Sequence, residues 1–144
     1  MSNAFTADDY VRMVKIEFPA DPYSELASDL VESDGLLHLQ VSALARLARE
    51  AKRTADWGTY RRIMRLADSL WRNPDHQLLN ALNVSFLEHI DFEGPNGAHA
   101  WQLLSPELQI GWRAMQAYLE KIALHCNPSL RQAKDKNRKR RKRK

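Results

Sequence analysis

Cysteine is almost absent from this 144-residue chain. Cys126 stands alone, so no internal disulfide can form, which points to a reducing compartment. Long apolar runs are missing as well. No stretch approaches the ~20 apolar residues needed to span a bilayer. The opening MSNAFTADDYVRMVKIEF lacks a basic segment followed by an apolar one, so it does not read as a signal peptide. A soluble, cytoplasmic protein is the expectation. The familiar signatures of catalysis are missing too: G-x-x-x-x-G-K-[ST], G-x-G-x-x-G after a strand, H-E-x-x-H, C-x-x-C and G-x-S-x-G do not occur. His125 precedes Cys126, but neighbours on a helix point to different sides, so they do not form a thiolate–imidazole pair. No enzyme activity, cofactor or metal is expected.

The chain is long enough for one domain with a real core. Its net charge of +4 conceals two opposite parts. Residues 131–144, RQAKDKNRKRRKRK, carry ten Lys/Arg and one acid, whereas residues 1–130 carry twelve Lys/Arg against seventeen Asp/Glu. The basic block repels itself and has nothing to bury. It reads as a disordered tail over 128–144 after a helical domain over 1–127. Such a tail suits phosphates, and Arg138, Lys139, Arg140, Arg141, Lys142, Arg143 and Lys144 are its candidate nucleic-acid contacts. With no aromatics interleaved, it carries no base readout.

Apolar residues in the body recur at helical spacing. Leu36, Leu37, Leu44, Leu47 and Ala48 share a flank of a helix reaching about residue 54. Trp57, Tyr60, Met64, Ala67 and Trp71 step along the next. Leu78, Leu82, Phe86 and Ile90 do so over 74–91, and Leu108, Trp112, Met115, Leu119 and Ile122 over 106–124. Asp21-Pro22, Asn73-Pro74 and Ser105-Pro106 each set an N-cap residue before a proline suited to the first helical position. Thr6 with Asp9 marks a weaker start, Gly35 the stop of a short second helix, and Gly94, Pro95 and Gly97 the one clear irregular loop. No alternating run is long enough for a strand. The prediction is an all-α domain of six to seven short antiparallel helices. Its aromatic stripes are core rather than a cofactor cage.

The window SFLEHIDFEGPNGAHAW concentrates polar chemistry. Glu88 and Asp91 share a face if the helix persists, His89 points elsewhere, and His99 lies across the loop, so the cluster reads as recognition surface rather than a metal site. Asp91 and Glu93 are expected to be exposed. A second acidic stripe, with Glu25, Asp29 and Glu32 after Asp21, forms a candidate docking face for a basic partner.

NVSFLEHI followed by LLSPELQIGWRAMQAYL resembles a family of small all-helical bacterial proteins without assigned enzymatic activity. In that family a V-S-F-L-E helix precedes L-L-[GS]-P-E-L-x-x-x-W, and some members are similar to immunity partners of secreted polymorphic toxins. The pattern extends over about residues 36–122 and is sharp over 84–119. The resemblance implies a cytosolic protein that binds a cognate toxin domain and blocks it. The partner-binding candidates are then Glu25, Asp29, Glu32, Glu88, Asp91, Phe92, Glu93 and His99. The alternative is an accessory protein that binds nucleic acid through its tail.

Overall fold

The computed structural model describes residues 3–19, 34–126 and 128–142. Among them lie seven α-helices and no strand. They fall into two units divided after Trp112.

The first unit holds the core. Helix α1 (Ala7–Glu17) opens on a reciprocal cap in which Thr6 Oγ1 accepts from the Asp9 amide and Asp9 Oδ2 accepts from the Thr6 amide at 2.9 Å. The weak start predicted there is a complete capping box. Ala7, Tyr10, Val11 and Val14, one helical face, are buried. The Tyr10 hydroxyl donates to the Gln40 carbonyl at 3.0 Å, fastening α1 to the central helix.

That central helix, α2 (Asp34–Arg53), buries Leu37, Gln40, Val41, Leu44 and Ala48. Ala43, Ala45 and Ala51 are also buried, and their small side chains let neighbours come close. Helix α3 (Trp57–Trp71) starts on Asp56, whose carboxylate accepts from the Thr59 amide. It packs Tyr60, Ile63, Met64, Ala67 and Leu70 inward. Three residues join α2 to α3, so the pair is an antiparallel hairpin. Its turn is a Schellman motif: the Asp56 amide donates to the Ala51 carbonyl at 2.8 Å and the Ala55 amide to the Lys52 carbonyl at 3.2 Å. Ala55 holds the left-handed position, at φ 56°.

Two expected boundaries move. Gly35 does not stop a helix; it lies in the first turn of α2. The short helix expected before it, from Asp21-Pro22, falls outside the described residues. Asn73-Pro74 does not cap a helix either. Phe5 pairs with this dipeptide, its amide donating to the Asn73 carbonyl at 2.7 Å and its carbonyl accepting from Asp75 at 2.8 Å. The chain therefore stays extended for two more residues. Asp75 caps α4 (His76–Ala81) by accepting from the Leu78 amide.

The single helix expected over 74–91 is broken in winding. After α4 come a π segment, Leu82–Phe86, and a 3₁₀ turn, Leu87–His89. Ser85, Phe86 and Leu87 are three consecutive buried residues, which a regular helix cannot turn to one side; changing the winding shifts the phase. The buried Ser85 hydroxyl finds His38 Nδ1 at 2.6 Å. Helix α5 (Gly97–Gln102) follows the loop. Helix α6 (Pro106–Cys126) begins at Ser105-Pro106, as its sequence predicts. Ser105 Oγ accepts from the Leu108 amide at 3.1 Å and donates to Asp68 at 2.7 Å, so this cap also ties the helix start to α3.

The second unit comprises the rest of α6 and α7 (Pro128–Lys142). In it Tyr118 and Ile122 are exposed, and Met115 and Leu119 are half-buried. The tail expected to lack structure is helical over Pro128–Lys142, since Leu, Gln, Ala, Lys and Arg are good helix formers and Pro128 sits at the first position. Asp135–Lys142 are all exposed, in keeping with a segment that has no core to join.

Candidate functional site

The polar window of the sequence becomes a loop from Ile90 to Asn96, held from below by one side chain. Lys52, in the last turn of α2, is only 11% exposed. Its ammonium donates to the Asp91 carboxylate, to the Asp91 carbonyl at 3.0 Å and to the Glu93 carbonyl at 3.3 Å. An ammonium has three donors, and the loop takes all of them. The Lys52 carbonyl in turn accepts from Asn96 Nδ2 at 2.8 Å. Asp91 also accepts from the Glu93 amide at 3.2 Å, curling the chain into a tight turn.

Glycine is required at two further points. Gly94 has φ +80°, a left-handed conformation that side chains oppose. At Gly97 a Cβ would lie 1.8 Å from the Phe92 carbonyl oxygen, so the chain crosses itself where only hydrogen fits.

An aromatic trio supports the other side. Phe92, Trp101 and Trp112 have ring centroids 4.9, 5.1 and 5.4 Å apart and meet edge to face, the arrangement their quadrupoles favour. Trp112 Nε1 donates to the Ile90 carbonyl at 3.3 Å. Trp57 stands edge-on to both His99, at 4.4 Å, and Tyr60, at 5.6 Å.

Ionisation follows these contacts. Burial opposes charge on Asp91, but the Lys52 hydrogen bond, the Glu93 amide and the charges of Lys52 and Arg49 together hold its pKa below the usual carboxylate value. Burial, reinforced by the Asp91 carboxylate, pushes the Tyr60 hydroxyl well above the ordinary phenol range.

The candidate residues thus separate by role. Glu88, His89, Glu93 and His99 are exposed. Asp91 is not the free surface charge expected, because its carboxylate is committed to Lys52. Phe92 is half-buried within the trio. Glu88 and Asp91 do not share a helical face, because the helix ends at His89 and Ile90 is already extended. Among the described residues no group of three or more His, Cys, Asp or Glu could hold a metal ion, and no helix is long and apolar enough to cross a membrane. Glu25, Asp29 and Glu32 lie outside the described residues, as do Arg143 and Lys144. Arg138–Lys142 stand exposed on α7.

Sequence reasoning missed Lys52 and Asn96. One signal was present: Lys52 is the only lysine between residues 16 and 120, where every other cationic chain is arginine. No curated protein and no solved structure matches this chain. A family model described as a domain of unknown function (DUF7674) matches residues 15–133, and the chain belongs to that family.

Proposed function

We propose that this protein acts by binding another protein, as an immunity partner that recognises and blocks a cognate secreted toxin domain. The observation that carries the reading is the Ile90–Asn96 loop. It is fixed by Lys52, Asn96, two glycines and three aromatic rings, while Glu88, His89, Glu93 and His99 around it remain exposed. A loop ordered before encounter loses little entropy on binding, so more of its contact energy appears as affinity. Its carboxylates suit a basic partner, speeding association and fixing register. The V-S-F-L-E and L-L-S-P-E-L-x-x-x-W segments resemble a small all-helical bacterial family, some members of which are similar to toxin immunity partners, and that resemblance favours the same reading.

The test asks whether the adjacent upstream gene encodes a large secreted protein, and co-expresses the C-terminal domain of that protein with this chain. Glu88→Lys with Glu93→Lys is expected to abolish protection while leaving thermal unfolding unchanged, since both side chains are exposed. Protection that survives this change, or that is lost with EDTA, refutes the reading.

A second reading rests on α7. The exposed cations of Arg138–Lys142 would give salt-dependent, sequence-indifferent binding to nucleic acid. Replacing these five residues with glutamine should weaken that binding and flatten its salt dependence if the tail is its sole contact.

A further inference from the structure

The acidic balance of the body is not evenly spread. Residues 34–72, which contain α2 and α3, hold eight Lys/Arg against four Asp/Glu, whereas residues 1–33 hold two against seven and residues 73–130 two against six. Lys52 is turned inward to the loop. The other seven cations of the hairpin, all arginines, are exposed.

Three of those arginines share the outer side of α2. Arg46, Arg49 and Arg53, at i, i+3 and i+7, line a shallow pocket of about 400 Å³ with Ala43 and Glu50. Arg46 and Arg49 also line a second pocket, of about 220 Å³, with Ser42, Leu39 and His89. The two hollows therefore share a wall and form one groove along the helix. Glu50 is engaged by Arg53, which donates to it from both Nε and a terminal nitrogen. Asp91, the carboxylate whose charge is felt from Arg49, is engaged by Lys52.

We propose that this groove is a phosphate-binding surface for a nucleic-acid backbone, an anion contact on the folded body distinct from the basic tail. The residue type supports it. A merely solvated face is served equally by lysine, but the planar guanidinium grips phosphate through paired hydrogen bonds. The spacing supports it as well. Seven residues of helix spread the three guanidiniums over roughly 10 Å at 1.5 Å per residue, which matches a polymer with repeated charge better than one small anion. Ser42 and His89 add hydrogen-bonding groups at one end. Neither pocket is lined by Phe, Tyr or Trp, and the His89 ring stands alone at one end, so successive bases find no stacking platform and binding is indifferent to sequence.

The experiment uses the full chain and a fluorescent 20-base-pair DNA duplex, with affinity measured by anisotropy from 50 to 200 mM salt. Each phosphate contact contributes about −0.9 to the log–log salt slope. Arg46→Gln with Arg49→Gln should flatten that slope by about 1.8, so that the wild type loses about 12-fold more affinity than the variant across the range. Arg46→Lys with Arg49→Lys keeps the charge, so it should keep the slope while binding several-fold more weakly. Circular dichroism checks that both variants fold. An unchanged slope in the glutamine variant, with a flattening of about 1.8 seen instead on neutralising Lys139 and Arg140, overturns the proposal and assigns the contact to the tail. An unchanged slope accompanied by lost protection against the toxin overturns it too, assigning the groove to a protein partner.

Discussion

Lys52→Met isolates what the loop owes to one ammonium group. Methionine keeps most of the apolar stem, so the change removes the charge and its three donated hydrogen bonds more than it removes packing. Breaking a fully buried ion pair costs several kcal/mol because the partner is stranded. Here the Asp91 side chain is 48% exposed, so water can reach the abandoned carboxylate and the figure must be discounted. The two loop carbonyls can be rehydrated in the same way. About 2 kcal/mol is the resulting expectation, the scale of one or two charge-assisted hydrogen bonds. With a urea m-value of about 2 kcal/mol/M, the unfolding midpoint should fall by about 1 M. The loss should also depend on pH. Asp91's folded pKa lies below its unfolded value, so its contribution is complete above the unfolded pKa of about 4 and disappears as pH falls through the folded one. The difference between wild type and variant should be constant from pH 7 to 5 and shrink below pH 4. A midpoint within 0.2 M of wild type, or a gap as wide at pH 3 as at pH 7, would refute the assignment of the loop's order to this ammonium.

Two further substitutions probe the backbone. Ala55→Gly should stabilise the protein by about 0.5–1 kcal/mol in the same urea titration, since glycine adopts the left-handed cap of α2 without the steric penalty alanine carries at φ 56°; destabilisation would mean the cap is misassigned. Gly97→Ala should cost several kcal/mol, because its Cβ falls 1.8 Å from a backbone oxygen that no side-chain rotation can move. Trp fluorescence should shift with it as Trp101 and Trp112 lose their packing, and a silent spectrum would count against the trio.

The helices were legible in the sequence because their causes are local. Thr6 and Asp9 cap each other within one turn, Ser105 accepts from an amide three residues on, and the stripes of α2 and α3 repeat every three or four residues. What failed to show depended on partners far along the chain. Asn73-Pro74 has the form of a cap, but Phe5, nearly seventy residues earlier, claims its backbone. Leu78, Leu82, Phe86 and Ile90 keep a helical rhythm and are all buried, although the winding beneath them changes.

Asp91 shows the same limit where it bears on function. A carboxylate just past a helix end, before Glu93 and a Gly-Pro turn, reads as solvated charge, because acidic groups there oppose the helix dipole. Its compensation is Lys52, thirty-nine residues upstream and in the last turn of another helix, where a cation is favoured by the dipole of its own helix. Two unfavourable local choices at Asp91, burial and position, are thus offset by one distant side chain that is itself well placed. The consequence for recognition is a division of labour between neighbours. Asp91 fixes the backbone, and Glu93, whose carbonyl is held while its side chain stays exposed, is left to meet a partner. Lysine at 93 therefore tests binding, whereas lysine at 91 would set a second cation against Lys52 and test folding instead.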